Sequence, residues 1–205
     1  MNVLKNKRND NKNNSYAKLM HDDFSQSFSQ LRHYDTAYTS MMRFAFTGYT
    51  AVFGAVFTIY VDMHQDHSNI SIFLATLMGV VTLMGLLVLA TLVRNRIYYV
   101  TMARHLNDYR KFIIEKKPYG FTPCAEIYAD PKKPAFFHFT SSHIVILHFV
   151  AFLNALATFT CFFFLKVETN FALNYTIPAV VFAVQIIGYV YVLARRDRKE
   201  KKNGT

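Results

Sequence analysis

Five residues in the middle of the chain have the types and spacing to bind an anion. Arg96, Arg104, Asn107, Arg110 and Lys111 lie on a stretch free of helix breakers. At 100° per residue they fall within about 120° of one another on a helix. Val100 and Ala103 share that stripe, and Tyr98, Tyr99 and Tyr109 flank it. Guanidinium groups beside an amide and aromatic rings suit a phosphorylated or nucleotide ligand, because the planar fork of arginine matches phosphate oxygens two at a time. The plainer reading is a basic helix held by anionic lipid headgroups.

A second set of polar residues lies inside otherwise apolar runs. Thr82, Asn154, Thr158 and Gln185 are the most informative, with His148 and further threonines around them. Polar groups at bilayer depth are expensive, so they face protein or water. They predict either hydrogen bonds between helices or the lining of a pore built from hydroxyls and amides.

Other chemistry is missing. The chain has no G-x-x-x-x-G-K, G-x-S-x-G, H-E-x-x-H or C-x-x-C sequence. Each of these supports a distinct catalytic or phosphate-binding device. His138, His143 and His148 are spaced by five, which scatters them over different helix faces. The expectation is a protein that is not an enzyme, with no cofactor, no metal and no catalytic residue. Cys124 and Cys161 are expected to stay reduced.

The elements that carry these residues follow from the hydropathy pattern. Four runs are uncharged: residues 44–61, 70–93, 144–165 and 171–194. A hydrocarbon core of roughly 30 Å needs about 20 helical residues, so each run can span a bilayer. Soluble helices of this length carry charge on an outer face, and these carry none. The fold class expected is therefore all-α, with four transmembrane helices and helical extensions outside the bilayer.

The chain divides as follows. Residues 1–15 read as a polar, disordered tail, and residues 16–43 as an amphipathic helix with Leu19, Phe24, Phe28, Leu31 and Tyr38 on its stripe. Residues 44–93 form a first transmembrane hairpin. Residues 94–143 hold the basic helix and a Pro-rich loop, with a turn or strand near 125–128 and Phe136, Phe137 and Phe139 as interfacial anchors. Residues 144–194 form a second hairpin, and residues 195–205 a basic tail. The second helix is expected to continue unbroken past its span to about Ile114, some 45 residues in all, about 65 Å at 1.5 Å per residue.

Charge predicts the orientation. Of 23 Lys and Arg residues, all but Lys166 lie in 1–43, 94–143 or 195–205. Positive residues stay cytoplasmic, so both termini are expected inside. The first forty residues are polar, so no secretory leader is expected and the first span inserts as its own signal. The bilayer is the first partner. A bundle of four short-looped helices leaves little room for a private aqueous path, so a shared axis in a homo-oligomer is expected. A tetramer is favoured among closed cyclic assemblies. A soluble partner protein recruited by the basic and amphipathic helices is the alternative.

His33-Tyr34-Asp35 before the first span, with Arg94-Asn95-Arg96 and Ala103-Arg104-His105-Leu106-Asn107-Asp108-Tyr109-Arg110 after the second, resembles small bacterial four-span proteins. Those proteins accompany phage-defence enzymes that make nucleotide messengers. The pattern is most similar to the membrane effector of the Hailong defence system, and less so to the four-span membrane subunit of the Kiwa system. It covers mainly residues 28–114. The resemblance implies an oligomeric channel in the bacterial inner membrane, shut until infection and then opened to depolarise the host. In the Hailong family the signal is an oligodeoxyadenylate. A Kiwa-like role implies instead an anchor or sensor subunit with a cytoplasmic partner.

Overall fold

The computed structural model describes the backbone of residues 2–62, 67–115, 129–165 and 171–203, and the side chains of most of these. The predicted strand or turn near 125–128 and Cys124 lie outside the described residues. Among the described residues there are four α-helices: α1 (Asn2–Asp62), α2 (His67–Glu115), α3 (Ser142–Phe164) and α4 (Phe171–Asn203). Among the described residues there is no strand. All four helices are long and apolar enough to cross a membrane. The chain is thus an all-α, multi-pass membrane protein, as its uncharged runs require.

Three segments depart from the sequence reading. α1 begins at Asn2, so the helix covers the stretch read as a disordered tail. No Gly or Pro occurs before Gly48, and Asn and Lys are weak rather than forbidden helix residues. α4 likewise continues through the expected tail to Asn203. After Gly188 the next breaker is Gly204, and Arg196 pairs with Glu200 one turn on, at 3.8 Å. Finally, Phe136 is fully buried rather than an interfacial anchor, whereas Phe139 is exposed.

The chain forms two compact units. One comprises Met1–Thr36 and Tyr98–Ala135. Within it α1 meets α2 through Tyr34 stacked on Tyr98 at 5.4 Å and Phe24 edge-on to Tyr109 at 6.2 Å. The amphipathic stripe of α1 therefore meets α2 at Phe24, while Leu19 and Phe28 remain exposed.

The other unit comprises Ala37–Ile97 and Phe136–Thr205 and contains the four apolar segments. Its inward faces follow helical periodicity. On α3 the buried residues include His143, Leu147, Val150, Ala151, Asn154 and Thr158. Those spacings of three and four draw one stripe. On α2 the stripe runs Leu74, Met78, Gly85, Leu89, Leu92 and Arg96. The outward faces are apolar too: Phe57, Leu83 and Ile187 are each more than 60% exposed. A helix apolar all round is what a lipid solvent selects.

Register within this unit is fixed by polar contacts. Tyr38 meets His143 and Tyr49 meets Asn154, both pairs separated by 105 residues, so α1 and α3 run parallel. α2 runs the other way: Gly85 lies at the level of Asn154 and Arg96 at the level of His143. The closest approach is at Gly85. A Cβ there would overlap the Asn154 amide oxygen and the Tyr49 hydroxyl. We predict that Gly85→Ala lowers stability by about 1–3 kcal/mol, the usual cost of overpacking. The thermal midpoint of the purified protein in mild detergent should fall, while Gly188→Ala, whose Cβ meets nothing within 4 Å, should leave it unchanged.

Candidate functional site

Two polar nodes occupy the interior of the membrane unit. The first joins three helices beside Gly85. The Tyr49 hydroxyl donates to the Asn154 amide oxygen. Asn154 Nδ2 donates to Gln185 Oε1 at 2.8 Å, and Gln185 Nε2 donates to the Val181 carbonyl at 3.1 Å. Tyr49, Asn154 and Gln185 are all buried. Thr158 donates to the Asn154 carbonyl at 2.8 Å, and Thr82 to the Met78 carbonyl at 3.0 Å, each within its own helix. Of the four polar residues singled out in the spans, Asn154 and Gln185 are brought together, Thr158 adjoins them, and Thr82 is bonded along α2. Asn154 and Gln185 thus bond between helices, while Thr158 and Thr82 bond within their own.

The second node surrounds Arg96, which is only 3% exposed. Arg96 Nε donates to the Phe136 carbonyl at 3.2 Å, and Nη1 approaches His143 Nδ1 at 3.3 Å. A guanidinium can only donate, so Nδ1 accepts and the His143 proton is assigned to Nε2. Tyr38 stacks on the His143 ring at 4.0 Å and donates to its carbonyl at 2.5 Å. Sequence reasoning missed Tyr38 and His143 as neighbours of Arg96 in this node. Nearby, Tyr189 packs edge-on to His148, and its buried hydroxyl has no partner among the described residues.

The rest of the basic stripe belongs to the other unit. Arg104 Nε donates to the Pro134 carbonyl at 3.0 Å. Asn107 Nδ2 donates to the carbonyls of Asp130 and Lys133, at 3.1 and 2.8 Å, and its Oδ1 accepts from Arg110 Nη1 at 3.2 Å. Lys111 is exposed and lies 3.9 Å from Glu115. Val100, Leu106 and Asn107 are buried, so this part of α2 turns the stripe toward protein. The signal was available: Val93, Val100 and Asn107 are seven apart, so the buried face of the second span passes directly along the stripe. In the same unit the Tyr109 hydroxyl donates to Asp23 and His105 Nε2 lies 3.5 Å from it. The Tyr109 bond, helped by His105, holds the Asp23 carboxyl below its ordinary pKa, and the same bond raises that of Tyr109.

The chemistry on offer is thus a ladder of strong donors on α2 that hold the backbone of residues 130–134. Among the described residues no group of three or more His, Cys, Asp or Glu side chains is placed to hold a metal ion. Comparison with known protein families, curated proteins and solved structures gives no match.

Asn107 is the tie whose removal is most informative, since one amide serves two carbonyls. We predict that Asn107→Ala costs about 1–3 kcal/mol, two modest hydrogen bonds and the exposure they prevent. Hydrogen exchange should accelerate at residues 130–135 while the α3 amides keep their protection.

Proposed function

We propose that the chain is the subunit of an oligomeric membrane pore, opened by an anionic nucleotide or oligonucleotide that takes over the donors of Arg104, Asn107, Arg110 and Lys111. One observation carries the reading. Arg104 and Asn107 hold carbonyls of the 130–134 segment, which are neutral acceptors. A phosphate oxygen is charged, and charge-assisted hydrogen bonds are roughly twice as strong as neutral ones. A phosphorylated ligand therefore competes for these donors and frees the segment. That segment leads within eight residues to the start of α3 at Ser142. Opening follows if the ligand binds the released state better than the latched one.

Several copies are needed. The amides inside one subunit bond to each other, so an ion path requires an axis between subunits, and a tetramer is the favoured closure. The distribution of basic residues supports cytoplasmic termini for a protein of the bacterial inner membrane. The role in phage defence, with an oligodeoxyadenylate as the signal, rests on the resemblance of residues 28–114 to the Hailong membrane effector.

The second reading is an anchor that recruits a soluble partner, as in a Kiwa-like complex. It is favoured by the exposed Leu19, Phe28, Phe112 and Ile113 outside the apolar segments. Large apolar side chains left open to water in this way are what a protein contact would cover.

Ion flux separates the two. Proteoliposomes loaded with a potential-sensitive dye should depolarise when linear oligodeoxyadenylates are added. Arg104→Ala with Arg110→Ala removes contacts that contribute about 1.5–3 kcal/mol each. That variant should lose most of the increase in flux that the oligodeoxyadenylate causes, because the ligand's contacts are gone, while eluting at the oligomer's volume. Absence of flux with every nucleotide tested, together with a partner lost on Leu19→Asp, would establish the anchor.

Orientation has its own test. A reporter active only in the cytoplasm should be active when fused after Thr205 and silent when inserted at His67. The reverse pattern overturns the charge-based topology.

A further inference from the structure

The membrane unit contains a groove that neither polar node fills. It is an open groove between α2 and α4 with a volume of about 380 Å³. Leu86, Leu89, Val93, Tyr189 and Val192 supply most of its walls, Gln185 lines its deeper part, and Gly188 leaves a gap in its α4 side. A Cβ on Gly188 would meet nothing within 4 Å, so the gap opens onto the groove and not onto another helix. Arg94 also lines the groove and is exposed.

Helical spacing adds a second cation. Gly188, Val192 and Arg195 stand at i, i+4 and i+7 on α4, which is one face. Arg195 is exposed. Since α1 and α3 run parallel and each is followed by an antiparallel helix, α2 and α4 also share a direction. Arg94 and Arg195 therefore stand at the same end of the two walls, with Ile97 one turn beyond Arg94. From Leu86 to Arg94 the groove follows α2 for about 12 Å, at 1.5 Å per residue. An apolar channel of that depth with guanidinium groups at one end has the polarity of an amphiphile: hydrocarbon below, anion above.

We propose that this groove binds one anionic phospholipid, an acyl chain lying against Leu86, Leu89 and Gly188 and the phosphate held at Arg94 and Arg195. The charge complementarity selects an anionic over a zwitterionic headgroup, because the choline of phosphatidylcholine would bring a positive group toward two guanidiniums. The open side at Gly188 gives the chain its room; a large side chain there would fill it. The site stands independently of the ligand stripe on α2, since Arg94 is not one of the stripe's residues and the groove lies wholly within the membrane unit.

The chain has no tryptophan, so a single introduced one reports alone. Leu86→Trp puts the indole at the deep end of the groove. Leu83→Trp, at an exposed position outside the groove, reports the surrounding lipid. Each variant is reconstituted into bilayers of phosphatidylcholine with phosphatidylglycerol, with bromine at mid-chain in one lipid at a time. In the Leu86→Trp variant, brominated phosphatidylglycerol should quench the indole at a mole fraction roughly threefold lower than brominated phosphatidylcholine, a modest headgroup preference of the kind two surface cations give. The Leu83→Trp variant should be quenched equally by both. Adding Gly188→Phe to Leu86→Trp should abolish the preference. Adding Arg94→Gln with Arg195→Gln should equalise the two lipids. In parallel, native mass spectrometry of the parent chain in phosphatidylglycerol should retain one lipid that Gly188→Phe, at an unchanged thermal midpoint, does not retain. Equal quenching of Leu86→Trp by both lipids together with no retained lipid on the parent would overturn the proposal. So would a lipid that survives Gly188→Phe.

Discussion

The buried amide of Asn154 is the contact on which the membrane unit depends. In hydrocarbon no water can satisfy an amide, so each of its groups needs a partner from the protein. Asn154 receives the Tyr49 hydroxyl from α1 and donates to Gln185 on α4. It reaches both only because α2 has no side chain at Gly85. Three helices are hydrogen-bonded and the fourth is recessed to admit the bond. Interhelical hydrogen bonds in membranes contribute only about 0.6–2 kcal/mol each. Their larger effect is on register. Sliding α3 by one residue would turn the amide away from both partners and leave buried polar groups unsatisfied.

A second node repeats the arrangement eleven positions away on each of three helices. Tyr38 stands eleven residues before Tyr49 on α1, Arg96 eleven after Gly85 on α2, and His143 eleven before Asn154 on α3. Eleven residues make about three helical turns, so a node at one level predicts the same faces meeting at the other. Between them the inward stripe is apolar: Ala45, Leu89, Leu92, Leu147, Val150 and Ala151 are all buried. Small residues there let the backbones approach, and the polar nodes specify which approach is taken. Dispersion and hydrogen bonding thus divide the work. The first holds helices together in many registers, and the second selects one.

Much of this is legible in the sequence, because lipid imposes a length rule that water does not. Four uncharged runs suffice for four spans, and continuity past Val93 follows from the absence of a breaker before Pro118. Polar residues within the spans are legible as a set, since each is an exception that lipid would reject. Their pairing is not, because Asn154 and Gln185 are 31 residues apart and only the packed helices bring them together. The extent of α1 and α4 escapes a reading by composition for a local reason. Polar composition points to disorder, although Asn, Lys and Arg without Gly or Pro are compatible with a helix. Residue type alone makes Phe136 an anchor, whereas its place beside Arg96 depends on the returning chain.

The basic stripe of α2 shows why charge alone does not reveal which way a helix faces. Arginine at a surface and arginine at a backbone carbonyl have the same sequence signature. What distinguishes them is the heptad on which they lie. Leu89 and Arg96 are seven apart, as are Val93, Val100 and Asn107, so the face that is apolar along the span becomes amide- and guanidinium-bearing beyond it without turning away from protein. The change in chemistry follows the change in neighbour. Opposite Leu89 and Val93 the neighbours are helices, whose carbonyls are already bonded. Opposite Asn107 the neighbour is an irregular segment, whose carbonyls at 130, 133 and 134 accept from side chains of α2, that of Asp130 also from the Lys133 N–H. A loop that relies on side chains for its backbone hydrogen bonds, unlike a helix that supplies its own, can be released by anything that claims those side chains more strongly. In the pore proposed above, that asymmetry makes residues 130–134, rather than the described helices, the part that a ligand releases.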